Sequence, residues 1–196
     1  APRGGGMFKE DWFNMIEVGA VPTSGHLVRG WDLAATKDGR AAFTVGLKMR
    51  RTRDGSIYIE DVMRMRGTPS EVDAAILKCA RADGTSCVQD LPQDPGAAGK
   101  ATKSALANLL EGFQFHVTTE SGSKEDRARP LASQAEAGKI YLVKAPWNKA
   151  FLAEACVFPA GKYKDQVDAA SRAYARLLIR KGRRIGAAPT MIDAQQ

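Results

Sequence analysis

The sequence predicts an α/β domain, a mixed sheet covered by helices on both faces. Two observations carry this: a meander of three strand-like runs early in the chain, and strand–helix alternation after it. The 196 residues suffice for one domain with a sizeable core, and 44% hydrophobic with 26% charged residues is an ordinary globular balance.

Taken in order, residues 1–25 have no clear periodicity. Phe8, Trp12, Phe13 and Ile16 suit a short amphipathic turn, so the segment reads as a linker entering the fold. Strands are expected over 26–32, 41–50 and 56–62. The last two are joined by Arg51-Thr52-Arg53-Asp54-Gly55-Ser56, where Asp-Gly marks a hairpin. The third alternates Ile57, Ile59 and Asp61 on one face against Tyr58, Glu60 and Val62 on the other. Thr68-Pro69-Ser70-Glu71 has capping-box spacing with proline at the first helical position, and Val72, Ala75, Ile76 and Cys79 give that helix its apolar stripe until Asp83-Gly84. A strand over 85–91 runs into Pro92-Gln93-Asp94-Pro95-Gly96. A helix over 98–111 follows, then a strand over 113–118 and a polar stretch. A helix over 130–137, a strand over 140–143 and helices over 147–157 and 165–181 complete the pattern. Trp31, Trp147, Phe151 and Phe158 read as core.

Several function classes have little material. No apolar run is long enough to cross a membrane, and the Gly-rich, then charged start has no signal-peptide character. A beginning at Ala1-Pro2-Arg3 suggests a piece of a longer protein. Cys79, Cys87 and Cys156 are odd in number, widely spaced and in apolar surroundings, as reduced core residues are. With His26 and His116 as the only histidines, a His-rich metal site or a Ser-His-Asp triad is disfavoured. The net charge of +7 concentrates at the hairpin tip (Lys48, Arg50, Arg51, Arg53) and along the C-terminal segment (Arg172, Arg176, Arg180, Lys181, Arg183, Arg184). Such surfaces suit a polyanion, and a merely solvated basic face fits the charge equally well.

Gly96-Ala97-Ala98-Gly99-Lys100 stands at a strand-to-helix turn but fails as a nucleotide loop, with Asp94 where the first glycine is needed and Ala101 where Ser or Thr is needed. Lys100 is left as a candidate phosphate contact or a solvated lysine. The acids are more informative. Asp32 ends the first strand, Asp94 follows the fourth, and Asp165 and Asp168 lie one turn apart at the start of the last helix. If the first and fourth strands are neighbours, these carboxylates converge at strand ends, where sites gather in α/β sheets. Clustered carboxylates repel unless a cation intervenes, and hard oxygen donors suit Mg²⁺ or Mn²⁺. Two such ions can activate water and stabilise the leaving oxygen of a phosphodiester. That is the pattern of an RNase H-like nuclease. For Asp32 taken by itself, a satisfied structural acid is the competing reading.

The segments RGWDLAAT (29–36), LPQDPGAAGK (91–100), GSKEDRARPLASQAEAGKIYLV (122–143), WNKAFLAEACVFP (147–159) and KDQVDAASRAY (164–174) together resemble the C-terminal nuclease domain of a tailed-bacteriophage large terminase, the DNA-packaging motor protein. The resemblance places the family's first acid on Asp32 and its second on Asp94. The third cluster, usually His-Asp-Asp-x-x-Asp-Ala, falls on Tyr163-Lys164-Asp165-Gln166-Val167-Asp168-Ala169, so Tyr and Lys replace the first two residues. It implies an RNase H-like sheet of five or slightly more strands. It also implies a linker over 1–25 following an ATPase domain not contained here, a nuclease domain over 26–182 and a flexible tail over 183–196.

The expected activity is metal-dependent cleavage of double-stranded DNA during viral genome packaging, with Asp32, Asp94, Asp165 and Asp168 as catalytic metal ligands for two Mg²⁺ or Mn²⁺ ions. Arg50, Arg51, Arg53, Lys100, Lys124 and Arg127 are candidate DNA contacts, and Asp61 is a second-tier ligand that would stand near Asp32 across the sheet. The resemblance further implies portal protein and small terminase subunit as partners, a monomeric isolated domain and the host cytoplasm. The alternatives are a junction resolvase, a transposase core, or a non-catalytic DNA-binding or docking module.

Overall fold

The computed structural model describes residues 6–34, 43–93 and 97–179. It contains seven strands in one sheet: β1 (Phe13–Ile16), β2 (His26–Asp32), β3 (Thr44–Arg51), β4 (Ile57–Met65), β5 (Cys87–Pro92), β6 (Phe115–Thr118) and β7 (Ile140–Val143). The helices are α1 (Pro69–Asp83), α2 (Ala97–Leu109), α3 (Lys124–Glu136), α4 (Asn148–Ala155) and α5 (Asp165–Leu178). The strand order is β1-β7-β4-β3-β2-β5-β6, and β3 runs antiparallel to both its neighbours while every other pairing is parallel. This is the expected mixed sheet, with β2 and β5 adjacent as the convergence of acids requires.

Alternation along β2 divides the molecule into two layers. Val28 points into a core shared with α3, α4 and α5, whereas Trp31 points into a second core formed with α1 and α2. Helix α5 is the central helix of the larger layer. Its buried residues Ala169, Ala170 and Ala173 are small, and Gly30 lies directly beneath them. A Cβ at Gly30 would come within 2.3 Å of the Ala169 carbonyl oxygen, so the glycine lets α5 lie hard against β2. That contact brings the start of α5 to the Asp32 end of the strand.

Three expectations change. The linker expected over 1–25 carries β1, an edge strand parallel to β7, and Phe8 and Phe13 are buried in the core. Helix α3 begins at Lys124, not near residue 130: the Ser123 hydroxyl accepts from the Asp126 amide and caps it, and Pro130 is accommodated inside the helix. In β4, a β-bulge shifts the register between Lys48 and Met49, so Lys48 pairs with Asp61, Met49 with Ile59, and Glu60 is the extra residue. Glu60 and Asp61 therefore share one face, and Val62 returns to the core of Ile57 and Ile59. Asp61 is turned to the α1 side, where it pairs with Arg29 at 2.8 Å, on the face opposite Asp32. It is not near the acid cluster.

Candidate metal and nucleic-acid site

Asp32 ends β2 on the α5 face, level with Val45 of β3. Asp165 and Asp168 come down from the first turn of α5. Lys164, at the N-cap, offers no side-chain cap to this helix. The cap comes from α4, where buried Glu154 accepts from the Gln166 amide (2.7 Å), the Val167 amide (3.1 Å) and the Gln166 side chain (2.8 Å). A carboxylate at a helix N-terminus also complements the helix dipole, and here it fixes where α5 begins and hence where its two aspartates stand.

The three carboxylates feel one another. Burial first, then the charges of Asp168, Asp165 and Glu120, push Asp32 up to about 7, against the opposing pull of Lys124. Asp165 is also raised, chiefly by burial, with Lys124 and Arg64 acting the other way. Asp32 has no ion pair or side-chain hydrogen bond among the described residues. Asp168 is different: Arg127 Nη2 stands 2.9 Å from its Oδ1, and the Lys124 ammonium sits against its Oδ2. Burial works against the charge of Lys124, yet Asp168, Asp32 and Asp165 together raise its pKa above the ordinary lysine value. The early start of α3 is what delivers Lys124 and Arg127 to this place. Glu120, not singled out in the sequence, pairs with Arg127 at 3.1 Å and with Arg172.

The donor set suits a hard divalent cation: carboxylates crowd together, and one of them is desolvated without a partner. Among the described residues, no three acidic, His or Cys side chains already form a closed cage. The Lys124 ammonium instead supplies positive charge to the cluster. Asp94 and the side chain of Lys100 lie outside the described residues. β5 ends at Pro92, at the same end of the sheet as Asp32.

The other predicted contacts are distributed unevenly. The hairpin tip lies at the opposite end of β2, because His26 pairs with Arg51 while Asp32 pairs with Val45. Six residues of strand separate the ends by about 20 Å. Arg50 is also neutralised by Glu60 at 2.5 Å. The C-terminal basic run is partly internal: Arg172 and Arg176 pair with the buried Asp90 and Arg172 also with Glu120, while residues from Arg180 onward lie outside the described ones. Lys164 forms no ion pair among the described residues, whereas Lys124 and Arg127 both pair with Asp168.

The fold is shared with nucleases of known structure. The large terminase nuclease from thermophilic phage G20c with bound zinc superposes with a TM-score of 0.64 at 18% identity, covering 85% of this chain and 95% of that one. The human cytomegalovirus terminase nuclease domain, Mn soaked and inhibitor bound, gives 0.63 at 11% identity, covering 87% and 95%. A yeast mitochondrial Holliday junction resolvase gives 0.52 at 11%, covering 82% and 81%. No curated protein sequence matches the chain. The family model of the terminase RNase H-like domain matches residues 29–177, a span running from β2 through α5 and including every acid discussed above. This chain belongs to the terminase RNase H-like domain family.

Proposed function

We propose that the chain is a metal-dependent endonuclease that hydrolyses double-stranded DNA during viral genome packaging. The observation that carries this is Asp32, a carboxylate at a strand end, pushed up to about 7 by burial, lacking a described partner and facing two further carboxylates. A structural acid in that position would have a cation or hydrogen-bond donors of its own. Asp32, Asp94, Asp165 and Asp168 would hold two Mg²⁺ or Mn²⁺ ions. When bound, such ions activate a water and stabilise the leaving oxygen of a phosphodiester. Solved relatives of the same fold are described with magnesium and cobalt as well as zinc and manganese, which supports a divalent ion here without selecting one.

The chain's own contribution is placement. Glu154 and Gly30 set the height and closeness of α5, and α5 sets Asp165 and Asp168 against Asp32. Lys124 and Arg127 balance Asp168 and lie where a scissile phosphate next to the acids would need positive charge. Portal protein, small subunit and the host cytoplasm belong to the same reading. Plasmid nicking tests it: wild type should nick supercoiled DNA with Mg²⁺ or Mn²⁺ and stop with EDTA, and Asp32→Asn should fall by at least about 10³-fold while keeping its fold. Nicking by Asp32→Asn at the wild-type rate overturns it. A strong preference for four-way junctions over linear duplex would indicate a resolvase instead.

A further inference from the structure

Beside Asp165, on the side of the sheet away from β5, three cations are held by aromatic rings. The Arg64 guanidinium lies 3.7 Å from the Phe43 ring centroid and 5.0 Å from that of Tyr163, and Arg66 lies 4.0 Å from Phe43. The two rings meet edge to face at 5.4 Å, and Lys162 stands 5.2 Å from the Tyr163 ring. Register places the group in line with the acids. Asp32 pairs with Val45 and Val45 with Arg64, so the three form one row across β2, β3 and β4 on the α5 face. The spacing of strands puts Arg64 about 10 Å from Asp32. The Phe43 backbone also favours the charged form of Asp165, so ledge and acid are electrostatic neighbours.

These cations differ from the other clustered arginines of the fold. Arg50 is neutralised by Glu60, Arg29 by Asp83 and Asp61, and Arg172 and Arg176 by Asp90 and Glu120. Among the described residues, Arg64, Arg66 and Lys162 form no ion pair, Arg64 acting on Asp165 only beyond ion-pair distance, and Arg64 Nε is buried without a hydrogen-bond acceptor. Stacking on Phe43 and Tyr163 orders the guanidinium planes without cancelling their charge. Ordered guanidinium groups not engaged in ion pairs match phosphodiester oxygens.

We propose that Arg64, Arg66 and Lys162, propped by Phe43 and Tyr163, form a ledge that seats the phosphate backbone of duplex DNA beside the acid cluster. This rests on the nuclease reading above and adds the surface on which the substrate lies. The rings serve as props and not as platforms for bases, because guanidinium groups already cover them.

Equilibrium binding of a fluorescent duplex of about 20 base pairs tests this, in EDTA so that nothing is cut, over about 50–200 mM salt. Arg64→Gln with Arg66→Gln should lower the steepness of the log affinity–log salt plot by about 2, since each phosphate contact contributes about 0.9. Affinity at about 0.1 M salt should fall on the order of tenfold. Lys78→Gln with Arg81→Gln removes the same charge from exposed positions of α1 on the opposite face and should leave the slope unchanged. If the double ledge variant melts early, exposed Arg66→Gln by itself should lower the slope by about 1. A wild-type slope in the ledge variants, or an equal loss in the α1 pair, overturns the ledge. So does a loss confined to single-stranded DNA, which would make the rings base platforms. Mn²⁺-dependent nicking with a ledge-independent slope sinks the ledge alone, a ledge-dependent slope without nicking sinks the nuclease alone, and a wild type that binds no duplex sinks both.

Discussion

Asp32 and Asp90 occupy adjacent strands on the same face of the sheet, since Gly30, two residues before Asp32, pairs directly with Asp90. Both are acids in largely apolar strands. Asp90 is 2% exposed, accepts from the Thr118 hydroxyl at 2.6 Å, and is paired with Arg172 and Arg176. Asp32 has no such partners among the described residues and is pushed up to about 7. Burial of an acid therefore does not mark a site. What marks it is a half-buried acid that no described residue pairs with, next to other acids that raise its pKa further.

The largest effect is expected at Asp90. Asp90→Asn leaves Arg172 and Arg176 poorly compensated in a buried setting, and should cost about 3–5 kcal/mol in a denaturation experiment. Metal-dependent nicking per folded molecule should persist. Loss of nicking without loss of stability would mean that Asp90, and not Asp32, belongs to the chemistry.

The pH dependence of stability sharpens the same contrast. The pKa of Asp32 is raised in the fold from about 3.8 to about 7. Between those values the folded state holds a proton that the unfolded chain has lost, so the contribution of Asp32 falls as pH rises through the window and is flat above it. In metal-free protein, Asp32→Asn should gain on wild type from pH 4 to pH 7, by at most about 4 kcal/mol. A difference that shrinks with rising pH contradicts the assignment of Asp32 as uncompensated.

A smaller effect is expected at Lys124, whose ammonium sits on Asp168 and faces Asp32 and Asp165. Lys124→Met removes a resident cation that a divalent ion must share the acids with. Mn²⁺ should then bind several-fold more tightly, up to about tenfold, or roughly 1.4 kcal/mol. Weaker binding would show that Lys124 orders the acids and does not compete with the ion.

How much of this was legible in the sequence depends on the range of the interaction that decides each feature. Asp32 at a strand end and Asp165 with Asp168 one turn apart are local patterns, and the fold keeps both positions. The Thr68–Glu71 capping box is equally local and is fully formed. Asp61 departs from the sequence pattern because a single extra residue, Glu60, reverses the alternation of β4, and a bulge depends on how the partner strand pairs. β1 leaves little pattern because only Phe13 of its four residues is buried, and its partner β7 lies more than a hundred residues away in sequence. The start of α3 had a signal, Ser123 three residues before Asp126, which the proline at 130 obscured. The ledge had none: Phe43, Arg64 and Tyr163 meet only through the fold. The hairpin tip is a different case. Its turn is legible, but its place at the far end of β2 is set by the antiparallel pairing of β2 with β3, which that turn does not specify.

The most direct test of the account is calorimetric titration of metal-free protein with Mn²⁺, comparing wild type, Asp32→Asn and Asp90→Asn under conditions where all three are folded. Wild type and Asp90→Asn should bind with similar affinity, and Asp32→Asn should lose at least about tenfold, equivalent to about 1.4 kcal/mol. Undiminished Mn²⁺ binding in Asp32→Asn would contradict the claim that the acid at the end of β2 is the heart of the metal site.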